Sequence, residues 1–509
     1  MTEPSDGSGN GPGGGSGRGS GPQPVDRAVG WLHRIWSALD GDPELTSRVR
    51  ITGPGGLLPS VYDVDALATA SVAAATLAVA ELGARRLWTA VPEVAVDRLA
   101  AAAAFRSEAL LRPVGWELPP IWDPIAGDYR TADGWIRLHT NYAHHRAGAL
   151  RALAIPDTEQ LDREQVAARV LEFAASDLER QVVAAGGCAA ALHTVEEWAA
   201  HPHGTVAGGE AAIRLERRSV SVDRALPKPG VGREPLPGWE ATGGGPLAGV
   251  RVLDLTRVIA GPVCTRTLAA WGADVLRIDP PGFAEVPAVL PEMTAGKHCA
   301  TIDLRDDEGR VRFAALVVEA DVIVHGLRPG ALAGLGFSDH ALRRLNPGLA
   351  IAAVDAYGWS GPWAGRRGFD SLVQFSCGIA ATTAAAVGSD RPVPLPAQAL
   401  DHATGYLLAA AVCRGLSGRY DGLAPADLHG ALIGTANLLM EQPVSLSAGS
   451  SSGLDPTSPG ADLASVTEVR DTFWGVVSAV PPPGVIGGLA GRWRVPAGPL
   501  GRDAPIFTV

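Results

Sequence analysis

Residues 246–282, PLAGVRVLDLTRVIAGPVCTRTLAAWGADVLRIDPPG, decide the fold of this 509-residue chain. They read as strand, tight turn, helix and strand, a βαβ unit that opens a parallel sheet. Val250-Arg-Val-Leu-Asp-Leu255 is short, apolar and β-branched, the texture of a strand covered on both faces. Gly261-Pro262 then starts a helix, because proline's fixed φ and missing N–H suit a first helical turn. Ala273–Ile278 reads as the second buried strand. Such a unit sets a loop and a helix N-terminus at the carboxyl end of the sheet, where nucleotide phosphates bind. A nucleotide-like ligand is therefore expected.

Downstream the alternation continues. Residues 306–319 predict a helix and 321–325 a strand, then 338–345 a helix and 349–355 a strand. Strands alternating with helices are the signature of a parallel, helix-covered sheet. The best internal boundary is Pro227–Pro246, where glycine and proline dominate and no apolar period survives. Before it, residues 63–82 and 96–111 are alanine-rich helix candidates, and 162–185 carries apolar residues at helical spacing. Trp135–His139 reads as a strand, and Thr194-Val-Glu-Glu197 as a capping box ahead of a short helix. The expected fold is α/β: a Rossmann-like parallel sheet with helices on both faces, plus a smaller α+β domain. The divisions are a Gly/Ser-rich tail over 1–24, a helix-rich region over 25–226, the linker 227–246, the sheet domain over 247–420 and a C-terminal part over 421–509. That last part opens on a predicted helix, 426–439, followed by a Ser/Gly-rich segment, 445–460, expected as a mobile loop. The tail from Thr472 shows no readable period.

Composition narrows the function. A chain with 46% hydrophobic and 19% charged residues has ample apolar material for more than one core. A formal net charge of −11 argues against nucleic acid and anionic membrane surfaces as partners. Cys188, Cys264, Cys299, Cys377 and Cys413 are scattered, with no metal-ligand spacing, so neither a metal site nor a disulfide framework is expected. The N-terminal tail lacks the apolar core of a signal peptide, and the alanine run 66–80 reads as a packed helix, so a cytoplasmic protein is expected.

A dinucleotide-binding unit would carry G-x-G-x-x-G after its first strand. The loop Thr256-Arg-Val-Ile-Ala-Gly-Pro262 has one glycine, which argues against NAD and FAD, and no P-loop motif is present. Asp279, at the acid position, is read as a solvated strand end. Several blocks in order instead resemble family III CoA-transferases, the group that includes formyl-CoA:oxalate transferase and alpha-methylacyl-CoA racemase. They are 247–255 (LAGVRVLDL), 260–262 (AGP), 272–278 (GADVLRI), 321–330 (DVIVHGLRPG), 345–348 (LNPG), 356–358 (AYG), 368–374 (GFDSLVQ) and 400–405 (LDHATG). Residues 133–139 and 185–202 resemble the family's smaller domain, which ordinarily follows the nucleotide-like domain; the resemblance implies that the halves of this chain stand in rearranged order.

The resemblance implies an enzyme that moves coenzyme A from an acyl-CoA to a free carboxylic acid, as a homodimer that is interlocked in typical members and with no tightly bound cofactor. Asp401 occupies the place of the family's catalytic aspartate, which attacks the thioester and passes through anhydride and aspartyl-CoA intermediates. On local pattern alone, Asp401 is a helix N-cap. For CoA, Arg257, Arg277, Arg328, Arg366 and Arg367 all fall in loops or at strand ends. Arg367, where the transferase branch carries a CoA-contacting lysine, and Arg328 are the first choices for the phosphates. Gly261 and Pro262 are expected to shape the turn beside the ligand, and Tyr357 and Gly358 to line the pocket. Two other readings stand beside this one. An acyl-CoA racemase or epimerase needs a histidine where this chain has Phe369, with His402 or the His144-His145 pair as substitutes. A non-catalytic acyl-CoA-binding protein fits the rearranged order and the lack of a glycine loop over the nucleophile.

Overall fold

A computed structural model describes residues 26–87, 89–158, 161–218, 244–441 and 463–508. The N-terminal tail, most of the linker and the segment 445–460 lie outside the described residues. Seven strands form the large sheet: β1 (Ile213–Arg217), β2 (Arg251–Leu255), β3 (Asp274–Asp279), β4 (Lys297–Thr301), β5 (Val322–His325), β6 (Ala350–Asp355) and β7 (Ala426–Ala431). Their spatial order is β4-β3-β2-β5-β6-β7-β1. β2 to β7 are mutually parallel, and β1 closes the edge antiparallel to β7. The quoted unit is thus the centre of a parallel-rich α/β sheet, and chain direction across the sheet reverses between β2 and β5.

Four helices position the site: α1 (Val64–Leu87), α2 (Ala260–Ala270), α3 (Asp370–Ser376) and α4 (Ala399–Ser417). Every residue of α4 is buried, and α1 is buried from Val64 to Ala84. Their alanines let α1 lie closely along α4, so dispersion and burial replace the amphipathic stripe of a surface helix. Arg414 of α4 donates to both carboxylate oxygens of Glu81 at 2.6 Å, so the charged pair in this packing is satisfied. α1 is long and apolar enough to cross a membrane, and its most apolar stretch is wholly buried in the protein, as a core helix is. At Gly405 a Cβ would meet the Ala260 carbonyl at 2.5 Å, so glycine permits the close approach of α4 to α2.

The linker parts the chain without parting the packing. The helix Arg27–Ala38, α1 and β1 precede it, yet they share one hydrophobic core with α2, α4 and β7. The segment with a core of its own is smaller than the predicted first region. Strands Gly127–Arg130, Trp135–Leu138 and Ala189–Ala191 form an antiparallel sheet. Helices Ala143–Leu153, Arg163–Val170 and Ala175–Ala184 pack on it through Leu150, Val166, Leu178 and Val182.

Three expected helices differ from the observed elements. Residues 426–439 divide into β7 and a helix, Leu432–Met440. In β7, Ala426, Leu428 and Gly430 are buried while Asp427 and His429 are half-buried, a period of two that alanine and leucine content obscures. Residues 96–111 start as a strand, Val94–Asp97. The Asp97 carboxylate then accepts the Leu99 N–H at 2.9 Å and caps a helix over Arg98–Ala104. Residues 162–185 break between two helices at 171–174. The predicted capping box is present: Thr194 Oγ1 accepts the Glu197 N–H at 3.2 Å and Glu197 accepts the Thr194 N–H at 2.8 Å. The tail without readable period forms a hairpin, Glu468–Thr472 with Gly475–Ala479, which pairs onto Arg112–Pro113.

Candidate active site

A cavity of about 350 Å³ opens beyond the carboxyl ends of β2 and β5, where the strand order reverses. Its walls include the turn Thr256–Gly261 after β2, Gly326–Arg328 after β5, and Asp355 and Ala356 at the end of β6. Asp254 fixes the first turn from below. Its Oδ1 accepts the Thr256 N–H at 2.8 Å, while Oδ2 accepts Thr265 Oγ1 at 2.6 Å and Lys297 Nζ at 2.8 Å. Asp254 and Lys297 are both fully buried. A Cβ on Gly261 would stand 2.3 Å from the Thr256 Cβ, so only glycine fits against a threonine held in this way. Val258 has φ +64°, a conformation strained for a β-branched residue and costing about 1–3 kcal/mol. Its N–H donates to Glu285 Oε2 at 3.1 Å. Glu285 also accepts from Arg277 at 3.2 Å and from the Tyr142 hydroxyl, which ties this turn to the region before the linker.

Asp401 sits in the first turn of α4, three residues past the N-cap Gln398, and lines the cavity. Its place is not the plain N-cap. Asp370, the first residue of α3, caps α4 from a distance: its Oδ2 accepts the N–H groups of Leu400 at 2.8 Å and Asp401 at 3.1 Å. Gln374 donates to the other Asp370 oxygen. Burial pushes the Asp370 carboxyl up to about 6, against the pull of those donors. The Asp401 carboxyl is raised well above the usual range by burial, then by the nearby carboxylates of Asp370 and Glu108. Neighbouring like charges disfavour each other's ionisation, and Asp370, which accepts three hydrogen bonds, is the better stabilised carboxylate of the two.

The opposite wall comes from the region before the linker. Tyr142, His144 and His145 line the cavity. Burial holds the His145 imidazole down at about 3 and also lowers His144, with Arg367 contributing to both. Phe369 stacks on His139 with ring centroids 3.6 Å apart. His402 is fully buried, and its Nε2 meets Glu108 Oε2 at 2.9 Å.

Of the residues chosen from sequence, Asp401, Arg367, Arg328 and Gly261 meet at this cavity. Pro262 lies behind the turn, its carbonyl accepting from Lys297 Nζ at 3.2 Å. Tyr357 and Gly358 stand off the wall. Tyr357 is fully buried with its hydroxyl 3.1 Å from Ser376, and Gly358 turns at φ +94° with its N–H on Asp355; Asp355 and Ala356 take the wall instead. Arg277 is not at a strand end facing ligand but buried inside β3, donating to Asp279 Oδ2 at 2.8 Å. That pairing also overturns the solvated Asp279, which is 3% exposed. Arg366 donates to Glu179 and to the Ala189 carbonyl, both at 2.8 Å. Arg328 is exposed, and Arg367 makes a single long contact, 3.5 Å to the Gly186 carbonyl.

Two further chambers adjoin. One of about 550 Å³ shares Arg328, Arg366 and Arg367 with the first and adds Arg180, His193 and His201. The other, of about 340 Å³, shares Val258, Ile259, Phe369 and Asp401 with it. Asp401 therefore stands at the junction of the central cavity, with Arg257, Arg328, Arg366 and Arg367, and a third chamber whose own arginines, Arg106 and Arg137, are already partnered. Sequence reasoning missed Asp370 and Glu108 as neighbours of Asp401. Asp370 reads as an ordinary acid at a helix start, and its cap lies on a helix 30 residues away.

The CoA-transferase family III model matches residues 247–480. An acetyl-coenzyme A transferase of Hypoxylon pulicicidum is 28% identical over 57% of this chain and 49% of that protein. A probable fatty acyl-CoA transferase, Rv3272, of Mycobacterium tuberculosis is 34% identical over 34% of this chain and 46% of that protein. A formyl-CoA:oxalate CoA-transferase of Rhodopseudomonas palustris is 32% identical over 33% of this chain and 42% of that protein. The chain thus spans about half the length, or less, of these curated relatives.

Proposed function

We propose that this chain, whose residues 247–480 are of the CoA-transferase family III type, moves coenzyme A from an acyl-CoA thioester to a free carboxylic acid. The observation that carries the reading is the position of Asp401, a buried carboxyl at the junction of two chambers. CoA extends from the arginine-rich chamber, with Arg367 and Arg328 on its phosphates, through the central cavity to Asp401.

Ionised Asp401 attacks the thioester carbonyl; the C–S bond breaks, giving an Asp401–acyl anhydride and the CoA thiolate. The thiolate attacks the Asp401 carbonyl of that anhydride, which releases the first acid as its carboxylate and leaves an Asp401–CoA thioester. The acceptor carboxylate reverses the two steps and leaves as its own CoA ester, with Asp401 restored. A raised pKa suits the role, because a more basic carboxylate is the stronger nucleophile once its proton has left. The positive charge of Arg257 on the cavity wall stabilises the oxyanion that develops at each carbonyl. By family analogy the assembly is a homodimer, for which solution mass measurement would give twice 52.4 kDa.

The racemase reading is disfavoured by Phe369 and by His145, whose pKa of about 3 makes it a weak base for an α-proton. The test is trapping. After incubation with acyl-CoA, mass spectrometry of the peptide containing Asp401 should find a CoA adduct that is absent in Asp401→Asn. Full activity in Asp401→Asn would exclude this mechanism, and tight CoA-ester binding without turnover would favour the non-catalytic alternative.

A further inference from the structure

We propose that the 340 Å³ chamber beyond Asp401 receives the body of an apolar monocarboxylic acid, both as the departing acyl group and as the incoming acceptor; this rests on the transfer reading above. The walls carry the argument. Ile121, Trp122, Val286, Val289, Leu395 and Phe369 line the chamber, and Trp122 is 40% exposed. An indole left so open over a concave apolar wall is suited to an apolar ligand.

The charges on the wall are already matched within the protein. The Arg137 guanidinium pairs with Asp128 and stacks over the Trp122 ring at 5.3 Å. Glu108 holds His402, and Arg106, 8% exposed, is also partnered. His139 is fully buried and kept neutral, its pKa pushed down to about 3, so it serves as an aromatic plate against Phe369. Among the described residues of this wall both arginines already have partners, so the second carboxylate of a dicarboxylic acid would have to compete for them. Size points the same way. At about 30 Å³ per water, the chamber has room for roughly ten non-hydrogen atoms. A formyl or oxalyl group would leave most of it to water.

The experiment uses the full chain and one acyl-CoA donor, with acetate, butyrate, hexanoate, octanoate, phenylacetate, oxalate and succinate as acceptors. Burial of each methylene should raise kcat/KM about three- to fourfold until the chamber is full. Octanoate or phenylacetate should then exceed oxalate and succinate by at least about 100-fold. Filling the chamber with Ala109→Trp, or with the smaller step Ala397→Leu should the first fail to fold, should cut the octanoate-to-acetate ratio, about tenfold for tryptophan. Oxalate or succinate matching octanoate, in protein that still forms the Asp401 adduct, would overturn the inference and leave the transfer reading intact. Absence of the adduct with every acyl-CoA would instead remove the transfer reading and this inference with it.

Discussion

The Asp370 carboxylate accepts the backbone N–H of Asp401 at 3.1 Å while its charge raises the pKa of the Asp401 side chain. One group therefore both holds the helical turn that presents Asp401 and, next to burial, raises the pKa of that carboxyl. The two effects are separable, because an amide oxygen accepts the same hydrogen bond without the charge.

Asp370→Asn should consequently keep the fold and lower the pKa of Asp401, since loss of a like charge favours ionisation. The rate of CoA-adduct formation, which rises with pH as Asp401 ionises, should begin its rise at lower pH than in the parent. A pH–rate profile under single-turnover conditions measures this; coincident profiles would show that the Asp370 charge does not govern Asp401.

Asp401→Asn should abolish transfer and raise thermal stability at neutral pH. The folded-state pKa lies above the model-compound value of 3.8. Well below that value both states are protonated and the carboxyl has no effect on stability. As pH rises past it the unfolded chain ionises first, so the parent loses stability until the pH passes the folded pKa. Asparagine carries no such penalty. Melting curves should show the variant above the parent at about pH 7, with the gap closing toward about pH 3.5. A variant that melts lower at neutral pH would contradict the buried, protonated carboxyl.

Much of the fold was legible because the parallel strands are apolar runs whose texture survives without context. β2, β3, β5 and β6 fall within about a residue of their expected limits. β7 was not, because its decisive alternation is written in alanine and glycine, whose side chains signal little. The pairing of Arg277 with Asp279 hides for a different reason. Both are charged residues at alternate positions of one strand, a pattern that reads as an exposed face until β4 and Glu285 close over it. At the site, local blocks brought out Asp401, Arg328 and Arg367. Glu108 and Tyr142 reach the same place through long-range packing that no local spacing encodes.

Lys297→Met should destabilise the protein by about 3–5 kcal/mol, because it leaves the Asp254 carboxylate buried without its cation. The double variant Lys297→Met/Asp254→Leu should recover part of that loss while remaining impaired in transfer, since the turn Thr256–Gly261 loses its anchor. Urea unfolding of the parent, the single variant and the double variant tests this. Equal stability of parent and Lys297→Met would refute a charged pair.

Arg367→Ala should raise the KM for acyl-CoA about tenfold, equivalent to about 1.4 kcal/mol, with kcat within about threefold. Arg328→Ala should do less, because an exposed guanidinium is screened by solvent and salt. Steady-state kinetics at two ionic strengths distinguishes the pair. A fall in kcat with KM unchanged would place Arg367 at the reacting carbonyl instead of the phosphates.

The pairing of β1 with β7, and of α1 with α4, sets an order on synthesis. The end of β1, Arg217, precedes the start of β7, Ala426, by about 210 residues, and the end of α1, Leu87, precedes the start of α4, Ala399, by about 310. At about 5–20 residues per second, β1 waits on the order of 10–40 s and α1 on the order of 15–60 s before their mates emerge. Over that interval α1 is an alanine-rich apolar rod covered on part of its surface by the helices Arg27–Ala38 and Arg98–Ala104, with its α4 face open, while the core around Leu150 and Val166 can already close. Nascent-chain protection is thus a requirement written into the strand order, and a chain arrested before α4 would present α1 to chaperones or to aggregation.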